Sequence, residues 1–143
     1  MAEVEYAFLA DAAQIQPGQK FGVLGGGISR LTGASIPFVH PHLALVVGLR
    51  LSPAERNREH DLGFRLTDPD GNEVATASGR IVSHGLTEPG DVVLNIAVDL
   101  WNLNMRVAGD HTIRIAIDGA ERKRLPLTVA IVHESAPEQR YLA

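Results

Sequence analysis

His42-Leu43-Ala44-Leu45-Val46-Val47-Gly48-Leu49-Arg50-Leu51 is the stretch that sets the architecture. Leu43, Leu45, Val47, Leu49 and Leu51 recur at every second position, the period of a strand; a helix would scatter them around its circumference. The intervening face, Ala44, Val46 and Gly48, is apolar as well. A strand apolar on both faces cannot lie with one side in water, so this one is either central and covered on both sides or part of an interface.

The flanking sequence has the same period. Upstream, Glu5 to Ala13 alternates through Tyr6, Phe8 and Ala10, and Lys20 to Ile28 follows after Gln16-Pro17-Gly18-Gln19. Proline followed by glycine favours a type II turn, so the two segments read as a hairpin. Downstream, Ser52-Pro53-Ala54-Glu55 forms a capping box with room for one helical turn. Asp61 to Thr67 buries Leu62, Phe64 and Leu66, and the turn Asp68-Pro69-Asp70-Gly71-Asn72 leads into Glu73 to Val82. Asp91 to Leu100 alternates through Val92, Leu94, Ile96 and Val98. His111 to Asp118 alternates through Ile113, Ile115 and Ile117, and Asp118-Gly119 favours a tight hairpin into Arg122 to Val132. Pro126 cannot donate to a ladder and argues for an edge or a bulge there.

These segments predict an all-β fold, an antiparallel two-sheet β-sandwich (Ig-like or jelly-roll-like) of seven to eight strands, with a closed barrel as the alternative. Residues 1–132 are expected to form a single domain and 133–143 a flexible tail. The 143 residues are 45% hydrophobic and 21% charged, ordinary for a globular domain. The absence of cysteine excludes a thiol enzyme, a cysteine-ligated metal and a disulfide framework. With 13 Lys plus Arg against 17 Asp plus Glu, the net charge of −4 and the lack of a basic run argue against nucleic acid. An acidic start and the lack of an apolar stretch of about 20 residues argue against a leader or a membrane helix, so a cytoplasmic location is expected.

The motifs that could carry chemistry are weak. His40-Pro41-His42 places two histidines at i and i+2, which on a regular strand share a face and could share an ion. The cupin pattern needs a glutamate four or five residues on, where this chain has Val46 and Val47. The aspartate-rich turn at 68–72 fails as a calcium loop, because its sixth and twelfth places hold Glu73 and Gly79. Gly25-Gly26-Gly27 with Arg30 fits neither phosphate-binding glycine pattern and reads as a bulge or a close backbone approach. Ser29, Ser78 and Ser83 lack a nucleophile-elbow setting. Trp101 either caps the end of the core or anchors a partner. Asp11, between alanines, has Arg30 as a candidate mate.

Ala10-Asp11-Ala12-Ala13, Leu24-Gly25-Gly26-Gly27 with Arg30, the Pro37 to Pro41 approach, Asn57-Arg58, Gly109 and Ile117-Asp118-Gly119 together resemble a bacterial family of small proteins, common in actinobacteria, catalogued as a domain of unknown function. The resemblance covers roughly residues 5 to 131. It implies a β-sandwich and a bacterial source, and brings no activity or catalytic residues.

The function expected is a non-enzymatic protein–protein binding or assembly module in a bacterial cytoplasm, bound to a protein partner or to itself. No catalytic residue, cofactor or metal is assigned. The contact residues expected are Gly25, Gly26, Gly27, Arg30, His40, His42, Val46 and Trp101. One alternative is a small-molecule or carbohydrate-binding β-domain with His40, His42, His84 and Trp101 around one mouth. Another is a structural component of a bacterial or phage-derived particle.

Overall fold

The structure, a computed structural model, describes residues 1–83 and 87–132. The expectations for His84 and for a tail at 133–143 lie outside the described residues. Among the described residues the chain is all-β, without a helix: β1 (Glu3–Ile15), β2 (Phe21–Gly26), β3 (Arg30–Gly33), β4 (Phe38–Leu51), β5 (Glu59–Thr67), β6 (Glu73–Val82), β7 (Val92–Met105), β8 (Gly109–Ile117) and β9 (Ala120–Ile131). A four-stranded sheet runs β2-β1-β4-β7 and a five-stranded sheet β3-β9-β8-β5-β6. The second is curled into a half-barrel.

Nine strands stand where seven to eight were expected. The addition is β3, four residues with one buried leucine, Leu31, too short to show alternation. It also breaks the antiparallel rule, because Arg30–Gly33 runs parallel to Thr128–Ile131 of β9. Pro126 is accommodated just upstream: opposite Thr112 of β8, it precedes the part of β9 that β3 covers. The missing N–H therefore faces an open side, as an edge position would. The capping-box segment stays in the loop, with the Ser52 N–H donating to Glu55 Oε1 at 2.9 Å.

β4 lies inside the first sheet, between β1 and β7. Its inner side chains, Leu43, Leu45, Val47, Leu49 and Leu51, join Leu62, Phe64, Leu66, Ile113, Ile115, Ile117 and Leu127 of the second sheet in one core. Each such side chain contributes roughly 1.5–3 kcal/mol when fully removed from water.

The outer side of β4 is covered by the same chain. Across from β1, Ala10 pairs with Ala44, Phe8 with Val46 and Tyr6 with Gly48. Phe21 lies opposite Ile15 in the hairpin, yet its ring is 5.8 Å from that of Phe8 and 6.0 Å from that of Tyr6. A straight β1 would hold Ile15 about 20 Å from Phe8. The β1–β2 hairpin therefore doubles back over the outer face as an arm, turning where Asp11 meets the glycine run. Gly25, at φ 59°, lies so close to the Asp11 carboxylate that a Cβ would collide with it, and Gly48 lies equally close under the Tyr6 ring.

The arm's tip, Gln19, reaches β7. Its Oε1 accepts from the Asn95 backbone N–H at 2.8 Å, and its carbonyl accepts from Asn95 Nδ2 at 2.7 Å. The Tyr6 hydroxyl donates to Asn95 Oδ1. The doubly apolar strand is thus covered on both sides within one chain.

Candidate functional site

The turn of the arm gathers several of the residues expected to matter. The backbone N–H groups of Gly27 and Ile28 donate to the Leu9 carbonyl, fixing the glycine run beside β1. Next to it, His42 Nδ1 is 2.7 Å from the Asp11 carbonyl and Nε2 is 2.7 Å from Asp99 Oδ1. Both partners are acceptors, one a backbone carbonyl and the other a carboxylate. The ring also lies against Trp101, its cross-strand neighbour, with centroids 4.2 Å apart. Trp101 is 65% exposed, so it does not cap the core. Leu24 on the arm, opposite Ala12, and Val39 on β4, opposite Asn104, are exposed as well.

His40 and His42 do not share a face. His40 pairs with Leu103, a core residue, whereas His42 pairs with exposed Trp101. The reversal falls at Asn102, in the left-handed region at φ 52°, across from Pro41: the β4–β7 register continues unshifted past this unpaired point, and beyond it Leu103 and Met105 turn inward. His40 Nε2 is shielded from solvent without a partner. Past this point β7 continues to Met105, paired with β4 as far as Phe38, through a segment expected to be a loop. Val46 is fully buried beneath the arm. Arg30 stands exposed on β3, in the other sheet, and among the described residues no ion pair joins it to Asp11.

A second histidine–carboxylate pair escaped the sequence reading. His60, 4% exposed, places Nδ1 2.8 Å from Asp118 Oδ2 and Nε2 2.8 Å from the Glu55 carbonyl. Asp118 Oδ1 in turn accepts from the Asp61 N–H at 2.9 Å. Burial works against the charged imidazole, but the bonds to Asp118 and Glu55 outweigh it, and the His60 pKa is raised. The bond from His60, followed by the Asp61 N–H, holds Asp118 below the usual carboxylate range. The pair lines a groove of about 330 Å³ together with Met1, Arg58 and Arg122. The signal in the sequence is Asp118-Gly119, a dipeptide for which a tight turn is already a sufficient reason. Asp118 at φ 51° and Gly119 at φ 83° do form that tight turn, and the aspartate carboxylate has a second use.

Each of the two rings bridges one carboxylate and one backbone carbonyl. Among the described residues no three His, Asp or Glu side chains cluster as metal ligands, and no helix is long and apolar enough to cross a membrane.

Residues 5–130 match the model of a family of unknown function, DUF6941. A comparison with curated proteins found no match. The extent agrees with the resemblance read from the sequence, and the match carries no actinobacterial origin.

Proposed function

The chain belongs to DUF6941, a family of unknown function, and with no activity to inherit from it we propose that the domain is a non-enzymatic protein-binding or assembly module. The observation that carries this reading is Trp101, the only tryptophan of the chain, which lies against the ring of His42, itself bonded to Asp99, with 65% of its surface in water. Leaving so large an apolar group exposed forgoes burial, and an indole fixed in place by its neighbours suits an interface anchor. Leu24 and Val39 are further exposed apolar side chains, and the glycine run lets another backbone approach closely.

We read the two sheets as a sandwich and the setting as a bacterial cytoplasm; the shared core supports the first, and the family resemblance together with a cysteine-free chain the second. The test is light scattering of the purified chain with affinity capture from its host, each repeated with Trp101→Ala. The expected result is an oligomer or a stoichiometric partner, lost in the variant while circular dichroism is unchanged. A monomer that captures nothing with or without the indole overturns the reading.

A further inference from the structure

We propose that the open edge of β7 pairs with β7 of a second copy of this chain, antiparallel and with the two-fold axis at Ala97. The inference rests on the assembly reading above and names its partner and register.

The sheets have four edge strands: β2, β7, β3 and β6. β2 and β3 are short, with 6 and 4 residues, and β6 carries charged Glu73 and Arg80. β7 is different: its 14 residues include Val92, Val93, Leu94, Ile96, Ala97, Val98 and Leu100, contain no proline or lysine, and are half-exposed from Val92 to Val98. A long apolar edge of this kind is a template for another strand. Beside it, a cavity of about 190 Å³ opens against Ile96 and Val98 and is lined from the second sheet by Leu62, Phe64 and Ile81.

The direction of the backbone groups fixes which residues can pair. The Asn95 N–H donates to Gln19 rather than to β4, so it points along the open edge. Strand alternation then sends the groups of Val93, Ala97, Asp99 and Trp101 the same way. Directly opposed residues share a face, so the register must match odd positions with odd and even with even.

An axis at Asn95 sets Asp91 against Asp99 of the other copy, opposing two like charges. An axis at Ile96 sets Trp101 against Asp91. With the axis at Ala97, Trp101 covers Val93, Asp99 lies opposite uncharged Asn95, Leu100 meets Leu94, and Val98 meets Ile96. This register leaves no like-charge pair, covers the exposed indole and offers about eight backbone hydrogen bonds across the axis, or about ten once the Asn95 N–H of each copy is released from Gln19. Gln19 occupies the Asn95 N–H that the second copy would use, so the arm's tip competes with self-pairing.

The cysteine-free chain makes the register directly readable. In an Ala97→Cys variant the two thiols meet at the axis, within disulfide reach, and oxidation should link the chains nearly completely. Val93→Cys, eight residues from its own copy along the paired strands, should not link. Ala97→Lys, at a half-exposed edge position, should give a monomer of unchanged circular dichroism. Gln19→Ala should tighten self-association about tenfold by freeing the Asn95 N–H.

A wild-type chain that stays monomeric at its highest soluble concentration overturns the proposal, whatever the variants do. A dimer that Val93→Cys links, that Ala97→Cys does not link, or that survives Ala97→Lys overturns the register and with it the proposal. The binding-module reading fails separately: a monomer that still retains a partner through Trp101 sinks only the self-pairing.

Discussion

The two histidine–carboxylate pairs use the same chemistry in opposite settings. His60 and His42 each place one ring nitrogen on a carboxylate and the other on a backbone carbonyl, at 2.7–2.8 Å. The His60 side chain is 5% exposed, while that of His42 is 20% exposed and lies under a solvent-facing indole. Burial decides what the bonds are for. A buried ring that loses them leaves acceptors stranded without water, whereas at the surface water replaces them at small cost. The first pair is a joint of the fold, tying the loop at Glu55, the start of β5 and the β8–β9 turn. The second holds a surface side chain in a fixed pose.

Removing each ring is the most severe way to break this comparison. His60→Ala should cost about 3 kcal/mol, because the Glu55 carbonyl loses a buried donor, Asp118 loses its cation and a cavity remains. Urea denaturation should show this as a large drop in midpoint with little change in slope. A loss below about 1 kcal/mol would mean that solvent reaches the site and that the two pairs are alike.

Asp118→Asn is milder and separates the charge from the turn. Asparagine tolerates the positive φ of this position and still accepts from the Asp61 N–H, so the hairpin should survive. The carboxylate is 51% exposed, so its charge is partly screened and the expected loss is about 1 kcal/mol. Asp118→Ala, which also strains the turn, should cost more. Equal losses for the two variants would show that the carboxylate matters only as a turn former.

Stability against pH sharpens the contrast without a mutation in the first scan. The His60 pKa is raised above the ordinary 6.5, so the pair's contribution is complete below that value and is lost as pH rises through the folded one. The Asp118 pKa is lowered below 3.8, so the contribution is complete above that value and is lost as pH falls through the folded one. The window between about 4 and 6.5 is therefore where the joint holds best. His60→Gln should flatten the upper limb of this profile. If that limb is the same in wild type and variant, the pH dependence arises elsewhere.

The contrast also marks how far the sequence could be read. Period-two apolar residues placed eight of the nine strands, because burial on one face imposes that alternation. β3 was missed because four residues with only Leu31 buried impose nothing detectable. The double apolarity of β4 left cover on both sides and an interface as alternatives; the fold supplies cover within the chain, and Val46, expected as a contact residue, is buried by it. That the cover comes from residues 11–26 depended on a reversal at Asp11, which the glycines hinted at without giving its direction. His40 and His42 misled for a related reason: the i, i+2 rule holds only on a regular strand, and Asn102 in the left-handed region of the neighbouring strand breaks the regularity. His60 and Asp118 are 58 residues apart, and no local pattern joins them. Only the pairing of β5 with β8 brings them together.

The smallest expected effect is the one that most directly tests what the second pair does. His42→Ala should cost less than about 1 kcal/mol, since water can take over the Asp11 carbonyl and the Asp99 carboxylate at an exposed corner. The indole would remain anchored by its backbone in β7 but lose the ring that it lies against. Trp101 is the only tryptophan, so its fluorescence reports on that site alone. The expected outcome is a nearly unchanged denaturation midpoint with a Trp101 emission that is more mobile by anisotropy and more accessible to a soluble quencher. A stability loss as large as that of His60→Ala would make His42 a structural joint as well. An unchanged Trp101 signal would show that the indole holds its pose without the histidine, removing the reason to treat the two residues as one surface.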